Sequence, residues 1–171
     1  MSVPQPSPTR RHLLLGALTL GALAGCGFLR NASADTPRAA NQAFEVSHTD
    51  AEWKQLLTPE QYDVLRQAGT ETPYSSPLDD DHDAGVFTCA GCNLDLFSST
   101  TKFDSGTGWP SFWQPLENAV IKEGDDTLGM RRTEVLCRRC GGHLGHVFDD
   151  GPQPTGLRYC MNGVAMNFRS A

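Results

Sequence analysis

The spacing of apolar and polar residues divides the chain into a helical part and a strand-rich part. Between residues 49 and 57, Trp53, Leu56 and Leu57 lie on one side of a predicted short helix. A second helix is predicted to begin at Thr58, because Thr58 can cap it and the following proline suits its first turn. Glutamine at 61 completes a capping box with Thr58, and Gly69 can close this helix.

From Val86 onward the pattern changes to short apolar or β-branched runs separated by turn residues. Such runs are typical of strands. The predicted strands are Val86–Thr88, Leu94–Phe97, Ala119–Lys122, Thr133–Leu136, Val147–Phe148, Leu157–Asn162 and Val164–Phe168. The expected fold class is mainly β (α+β), a mostly antiparallel β domain with short helices at its N-terminal end.

Residues 1–25 have the pattern of an export signal. Leu13 to Ala24 is a run of uncharged, mostly apolar residues, too short to span a bilayer but long enough for a signal-peptide core. The pair Arg10-Arg11 before it is typical of the twin-arginine route. A short uncleaved anchor is the alternative. We therefore expect an exported protein of the periplasm or cell envelope.

Two cleavage sites compete. The sequence Leu23-Ala24-Gly25-Cys26 resembles a lipoprotein processing box, which would make Cys26 a lipid anchor. Ala32-Ser33-Ala34 is also a suitable small-residue site, and cleavage there would remove Cys26. We expect a flexible tether over residues 26–46 and a folded domain over residues 47–171.

Composition narrows the possible partners. The chain of 171 residues has a formal charge of −6, so we expect no nucleic-acid partner. Seventeen glycines and eleven prolines indicate many turns and short elements. A small domain of this kind gains stability from a metal that closes a long loop.

Four cysteines form two matched pairs, Cys89-x-x-Cys92 and Cys137-x-x-Cys140, with 44 residues between them. Four thiolates fill the tetrahedral coordination of zinc and leave no position open for chemistry. The pairs therefore predict one structural Zn²⁺ in a zinc-ribbon-like Cys₄ site. Iron is possible by ligand type, and disulfides are the alternative in an exported protein, although a bridge within a CxxC turn is strained and easily reduced.

Cys160 stands apart from these pairs on a predicted strand and is the candidate nucleophile. With the two-residue period of a strand, Arg158, Cys160 and Asn162 share one face. A guanidinium beside a thiol favours the thiolate, which is the reactive form. The Asn162 amide can form a hydrogen bond with a reacting group. A buried structural cysteine is the alternative interpretation.

Two histidines and an aromatic segment complete the candidate site. His143 and His146 lie in a glycine-rich stretch, predicted as a turn, and can face one cavity, where imidazoles suit acid–base work near pH 7. Asp149 and Asp150 follow, and one of them can orient a histidine. Trp109 lies among glycines and aromatics that can form a rigid apolar wall. Surface histidines and a core loop are the alternatives.

Several longer motifs follow one another in a characteristic order. They are Cys89-x-x-Cys92, Ser105-Gly-Thr-Gly-Trp-Pro-Ser-Phe112, Cys137-x-x-Cys140-Gly-Gly-His-Leu-Gly-His146-Val-Phe-Asp-Asp150-Gly-Pro, Arg158-Tyr-Cys160-x-Asn162 and Phe168. In this order they resemble the motifs of methionine-R-sulfoxide reductases of the MsrB type. The resemblance extends over about residues 47–168.

The resemblance implies two antiparallel β-sheets with a structural zinc ion. It implies that Cys160 attacks the sulfur of methionine-R-sulfoxide in oxidised proteins and becomes a sulfenic acid. His143 and His146 would bind the sulfoxide oxygen, directly or through water, and assist its protonation. The other implied site residues are Asn162 and Arg158 near the thiolate, Asp150 on the histidine side, Trp109 at the substrate methyl group, and Phe112 and Phe168 in substrate binding.

One position departs from the family pattern. Thr107 stands where many members have a resolving cysteine, and no other free thiol is expected in the mature chain. The expected partner is therefore an external thiol reductant, thioredoxin-like or other. The alternative functions are a cysteine hydrolase using Cys160 with His146, for which no oxyanion-hole turn is recognisable, and an exported zinc-binding module without enzymatic activity.

Overall fold

Two short helices begin the described part of the chain, which is residues 43–171 of a computed structural model. Helix α1 covers Asp50–Leu56 and helix α2 covers Pro59–Gln67. Both begin with a capping box, as predicted for Thr58. The left-handed residue that ends α2 is Ala68, with φ 57°, rather than the expected Gly69.

The remaining chain forms nine short strands. They are β1 (Gly85–Cys89), β2 (Asp95–Ser98), β3 (Lys102–Phe103), β4 (Ser111–Phe112), β5 (Val120–Asp125), β6 (Arg132–Cys137), β7 (His143–Phe148), β8 (Arg158–Met161) and β9 (Met166–Ser170). They form a three-stranded sheet in the order β2-β1-β9 and a six-stranded sheet in the order β3-β4-β8-β7-β6-β5. All of the pairings are antiparallel, which confirms the expected fold class.

β5 extends three residues past its predicted end at Lys122, and four other strands also differ from the sequence prediction. β3 and β4 were not predicted, because two residues are too few for an alternating pattern. β7 begins at His143, four residues before the predicted strand, so the glycine-rich stretch predicted as a turn is extended. β9 begins at Met166, because residues 163–165 form a 3-10 turn.

Aromatic rings form the contact between the two sheets. Phe87 and Phe97 of the small sheet and Phe112 of the large sheet are all fully buried. The ring of Phe112 stacks on Phe97 with 4.4 Å between centroids, and Phe87 meets it at 4.9 Å. Since neighbouring strand residues point to opposite faces, this core leaves Ser111 on the other face of β4.

Residues just before the predicted domain boundary at residue 47 also contact the domain. The Val46 amide donates to the Arg139 carbonyl at 3.0 Å, and Glu45 lies 3.6 Å from the Arg139 guanidinium. The Phe44 ring lies so close to Gly141 that a Cβ there would clash with it. The predicted export signal, Cys26 and the tether up to residue 42 lie outside the described residues. Within residues 43–171, no helix is long and apolar enough to cross a membrane.

Candidate active site

Cys160 lies on β8, in the middle of the large sheet. In the strand register it stands opposite Ser111 on β4 and opposite His146 on β7, and His146 in turn stands opposite Glu134 on β6. Directly opposed residues share a face and lie about 5 Å apart. One cross-strand row therefore presents a hydroxyl, the thiol, an imidazole and a carboxylate on the same face.

Arg158 shares the face of Cys160, as predicted. Tyr159 and Met161 between and beyond them are buried, whereas Arg158 and Cys160 are half-buried. Burial raises the pKa of the Cys160 thiol, while the Thr107 hydroxyl, the Arg158 guanidinium and Ser111 oppose this increase. At neutral pH the free thiol is therefore mainly protonated, with groups in place that favour its anion.

Three hydroxyls form a connected cluster beside the thiol. Thr107 Oγ1 lies 3.8 Å from Cys160 Sγ and 2.8 Å from Ser105 Oγ. Ser105 Oγ lies 2.7 Å from Ser111 Oγ, which donates to the Trp109 carbonyl at 3.1 Å. Hydroxyls can reverse donor and acceptor roles, so this cluster can stabilise either the thiol or an anion at Cys160.

Asp150 has a different partner from the one expected. Its carboxylate accepts two hydrogen bonds of 2.9 Å from Arg158 instead of binding a histidine. The same guanidinium lies 4.4 Å from the centre of the Phe148 ring. Asp150 and Phe148 therefore hold Arg158 in position on the Cys160 face.

A bulge brings the two histidines to the same side of β7. Residues three apart on a regular strand point to opposite faces. Here the register with β6 shifts, so that Leu136 faces His143 while Val135 faces Gly145. The rings of His143 and His146 lie 5.4 Å apart between centroids. The sequence prediction that both imidazoles can face one cavity agrees with this placement.

Two carboxylates that the sequence analysis did not single out hold these imidazoles. His146 Nε2 lies 2.8 Å from Asp125 Oδ2, and His143 Nδ1 lies 2.5 Å from Glu134 Oε1. Both acids belong to the β5–β6 hairpin, and only the strand register could have identified them from sequence. His143 is buried, and its Nε2 has no hydrogen-bond partner among residues 43–171. That nitrogen is also shielded from solvent, so a contact with a substrate oxygen or a water molecule requires a local movement.

The electrostatics of the pair His146–Asp125 favour a neutral imidazole and a charged carboxylate. Burial lowers the pKa of His146 and outweighs the opposing effect of Asp125. Burial would raise the pKa of Asp125, but hydrogen bonds from Thr127 and His146 and the charge of Arg132 hold it below its ordinary value. Arg132 Nη2 donates to the same Asp125 oxygen at 2.7 Å.

Glu71, in the segment between α2 and β1, holds both Asn162 and Trp109 in position. Asn162 lies just beyond β8 and is buried; its amide donates to the Leu144 carbonyl and accepts from the Glu71 amide. Trp109 Nε1 donates to the Glu71 carbonyl at 3.2 Å. The Glu71 carboxylate in turn accepts from the amides of residues 163 and 164. Asn162 thus joins β7, the end of β8 and the segment that holds the Trp109 ring.

The structure does not bring Phe112 and Phe168 to the thiol. Phe112 is fully buried in the aromatic core, on the face of β4 opposite to Ser111. Phe168 belongs to the small sheet, with its ring 5.1 Å from that of Phe87. It lines a cleft of about 930 Å³ beside α2, and Cys160 is not among the described residues that line this cleft.

The four paired cysteines form a cluster that could hold a metal ion. Their Sγ atoms all lie within 4.8 Å of one another, with 3.7 Å from Cys89 to Cys140 and 3.5 Å from Cys92 to Cys137. A tetrahedral ion with metal–sulfur bonds of about 2.3 Å requires sulfurs about 3.8 Å apart, so the cluster fits zinc. Cys160 is outside this group.

Comparison with known proteins agrees with this geometry. Residues 57–170 match the model of the SelR domain. A peptide methionine sulfoxide reductase MsrB of Leptospira interrogans is 54% identical over 127 residues, which cover 74% of this chain and 97% of the relative. The MsrB protein of Methanosarcina barkeri is 56% identical over 73% of this chain and 89% of its own. The MsrB protein of Agrobacterium fabrum is 54% identical over 72% of this chain and 93% of its own.

Proposed function

The chain belongs to the SelR-domain family, and the relatives compared above are named peptide methionine sulfoxide reductase MsrB. We propose that it reduces methionine-R-sulfoxide in peptides and proteins to methionine. The observation that carries this proposal is the row Ser111–Cys160–His146 across three adjacent strands, with Thr107 at 3.8 Å from the thiol. An enzyme that takes an oxygen atom from sulfur needs a nucleophile on one side and proton donors on the other.

In the proposed first step, the Cys160 thiolate attacks the sulfoxide sulfur. The attack forms a bond between Cys160 Sγ and the substrate sulfur while the sulfoxide oxygen takes up a proton. The hydroxyl then moves to Cys160 Sγ as the sulfur–oxygen and sulfur–sulfur bonds break, so that methionine leaves, Cys160 becomes a sulfenic acid oxidised by two electrons, and the substrate is reduced. The sulfoxide oxygen must be protonated before it can leave. In its protonated form, His143 or His146 can keep one ring N–H on its carboxylate and donate the other to this oxygen, directly or through water.

We propose that an external thiol completes the cycle. It displaces water from the sulfenic acid to form a mixed disulfide, and a second thiol then releases Cys160 and leaves as the oxidised disulfide. The thiol has a threonine beside it, Thr107, and no disulfide joins the five cysteines of the described chain. A thioredoxin-like protein is one such donor.

We propose that the four-cysteine cluster binds one structural Zn²⁺. Four thiolate donors at tetrahedral spacing leave no ligand position for a substrate, and the ion would take no part in the reaction.

We also propose that the protein is exported and that Cys26 is lipidated, on the basis of Arg10-Arg11 and the apolar run that follows. Mass spectrometry of the mature N-terminus tests this export proposal: an unmodified N-terminus at residue 35 would contradict the lipid anchor.

Separate assays with R- and S-methionine sulfoxide and dithiothreitol test the activity. The expected result is turnover of the R form alone, and loss of turnover by at least about a thousandfold in Cys160→Ser with its fold and metal content intact. An active Cys160→Ser variant would contradict the assigned nucleophile. Inactivity of the wild-type chain towards both forms would favour the non-enzymatic alternative.

A further inference from the structure

We propose that Tyr74 is a docking residue for the peptide that carries the sulfoxide and that it selects an apolar or aromatic residue about three positions from the oxidised methionine. The proposal rests on the proposed function. Tyr74 lies in the segment between α2 and β1, next to the turn that carries Thr107 and Trp109, and its side chain is 72% exposed. The Tyr74 ring has no part in the proposed reaction, so its fixed position at the surface needs another explanation.

Tyr74 is held in place at both ends of the residue. Its amide donates to the Gly108 carbonyl at 2.7 Å and its hydroxyl donates to the Gly106 carbonyl at 2.8 Å. The ring packs directly against Gly108, where a Cβ would lie within 2.9 Å of two ring carbons. One face of the ring thus covers the turn, and the hydroxyl bond fixes the orientation of the exposed face.

The backbone of Tyr74 is also unusual. Its φ is +61°, in the left-handed region that a bulky residue seldom adopts. A strained position that holds an exposed aromatic ring is more typical of a binding site than of a structural turn. Because the exposed face is rigid, a partner can bind it with little loss of side-chain entropy.

Geometry places the ring within reach of residues that flank the sulfoxide. Thr107 lies between the two glycines that bind Tyr74, and its hydroxyl is 3.8 Å from Cys160 Sγ. The ring is therefore roughly 10 Å from the thiol, a distance that an extended peptide covers in about three residues. An occupant with an apolar side chain within three positions of the oxidised methionine fits this surface.

A second exposed apolar side chain lies on the opposite side of the site. Met130 is 57% exposed, in the turn that leads to Arg132 and so to the Asp125–His146 pair. The described residues have three large exposed apolar side chains, and the third is Leu56, on α1. Leu56 is thus a matched control: equally apolar and exposed, but on a helix that packs against α2.

Three substrates test the proposal: free N-acetyl-methionine-R-sulfoxide, a peptide with phenylalanine three positions from the oxidised methionine, and the same peptide with glycine there. We expect the wild-type enzyme to prefer the phenylalanine peptide over the glycine peptide in kcat/KM by about fivefold to tenfold, through KM. Tyr74→Ala should abolish this preference, Tyr74→Phe should retain most of it, and Leu56→Ala should not change it.

Two results would overturn the proposal. One is an unchanged preference in Tyr74→Ala; the other is an equal loss on all three substrates, which would indicate that Tyr74 only supports the Thr107–Trp109 turn. Failure of the proposed function is distinguishable from both, because the wild-type enzyme would then reduce none of the three substrates.

Discussion

The reactivity of Cys160 depends on opposing effects within a few ångströms of one sulfur atom. Burial raises the pKa of the thiol, and three neighbours, Thr107, Arg158 and Ser111, act against that increase. Since the thiolate is the nucleophile, these neighbours decide how much of it exists at a given pH. The Thr107 hydroxyl lies 3.8 Å from the sulfur.

The pH dependence of alkylation measures this balance. We expect the rate at which iodoacetamide modifies Cys160 to rise with pH, with a midpoint above the ordinary cysteine value of about 8.5. Thr107→Val removes a group that favours the thiolate, so its midpoint should lie higher still. Thr100→Val, at an exposed threonine, is the control and should behave as wild type. A lower midpoint in Thr107→Val would show that this hydroxyl does not stabilise the anion.

A cysteine at position 107 should change how the enzyme is recycled. The Thr107 hydroxyl lies 3.8 Å from Cys160 Sγ, and a disulfide needs sulfurs about 2.05 Å apart, so a small movement of a surface turn would close the bond. After one equivalent of sulfoxide, we expect Thr107→Cys to lose two thiols and to resist dimedone. The wild-type chain should lose one thiol and be labelled at Cys160. Dimedone labelling of the variant at wild-type level would contradict this geometry.

At the scale of elements, the β5–β6 hairpin determines what the histidines of β7 can do. Asp125 and Glu134 extend from this hairpin to His146 and His143, and Arg132 neutralises part of the added charge. Each carboxylate accepts a ring N–H and so fixes which nitrogen carries the proton. The hairpin therefore sets the tautomers, although neither acid lies on the strand of the nucleophile.

Asp125→Asn tests the function of this hairpin. The amide still fills the space but does not hold the His146 tautomer, so we expect kcat for the sulfoxide to fall by roughly tenfold or more while KM changes little. Asp126→Asn, at the exposed neighbouring residue, should retain wild-type kcat. If both variants keep full activity, His146 does not depend on Asp125.

The sequence predicts the elements that a local residue pattern identifies, but not the contacts that depend on the pairing of distant strands. The strands Gly85–Cys89 and Arg132–Cys137 were predicted over Val86–Thr88 and Thr133–Leu136, because a short apolar or β-branched run bounded by turn residues is enough to identify them. Asp125 was missed, because its partner His146 is two strands away and only the register brings them together. The bulge at Leu144 was missed as well, since the glycine-rich stretch is locally indistinguishable from a turn.

At the scale of the whole molecule, the four-cysteine cluster joins the two sheets. The Cys89–Cys92 turn connects β1 to β2 in the small sheet, and the Cys137–Cys140 turn connects β6 to β7 in the large sheet. Side chains from the helices support both turns. Arg66 donates to the Cys140 carbonyl at 3.0 Å, and a Cβ on Gly91 would contact Trp53 and Leu65. β7 begins three residues after Cys140, so the cluster also fixes the start of the strand that carries both histidines.

Loss of the proposed ion should therefore affect both stability and catalysis. Cys92→Ser removes one ligand, and we expect the chain to lose its metal, measured by inductively coupled plasma mass spectrometry. Its free energy of unfolding should fall by roughly 3 kcal/mol or more, which corresponds to about 10 °C in melting temperature. Cys160→Ser is the matched control, because it removes a thiol outside the cluster and should keep one zinc per chain and the wild-type melting temperature.

A metal-free Cys92→Ser protein that melts as the wild type does would mean that the packing of α1 and α2 against the turns is sufficient to join the two sheets. Activity in that protein would further show that the position of His143 does not depend on the cluster.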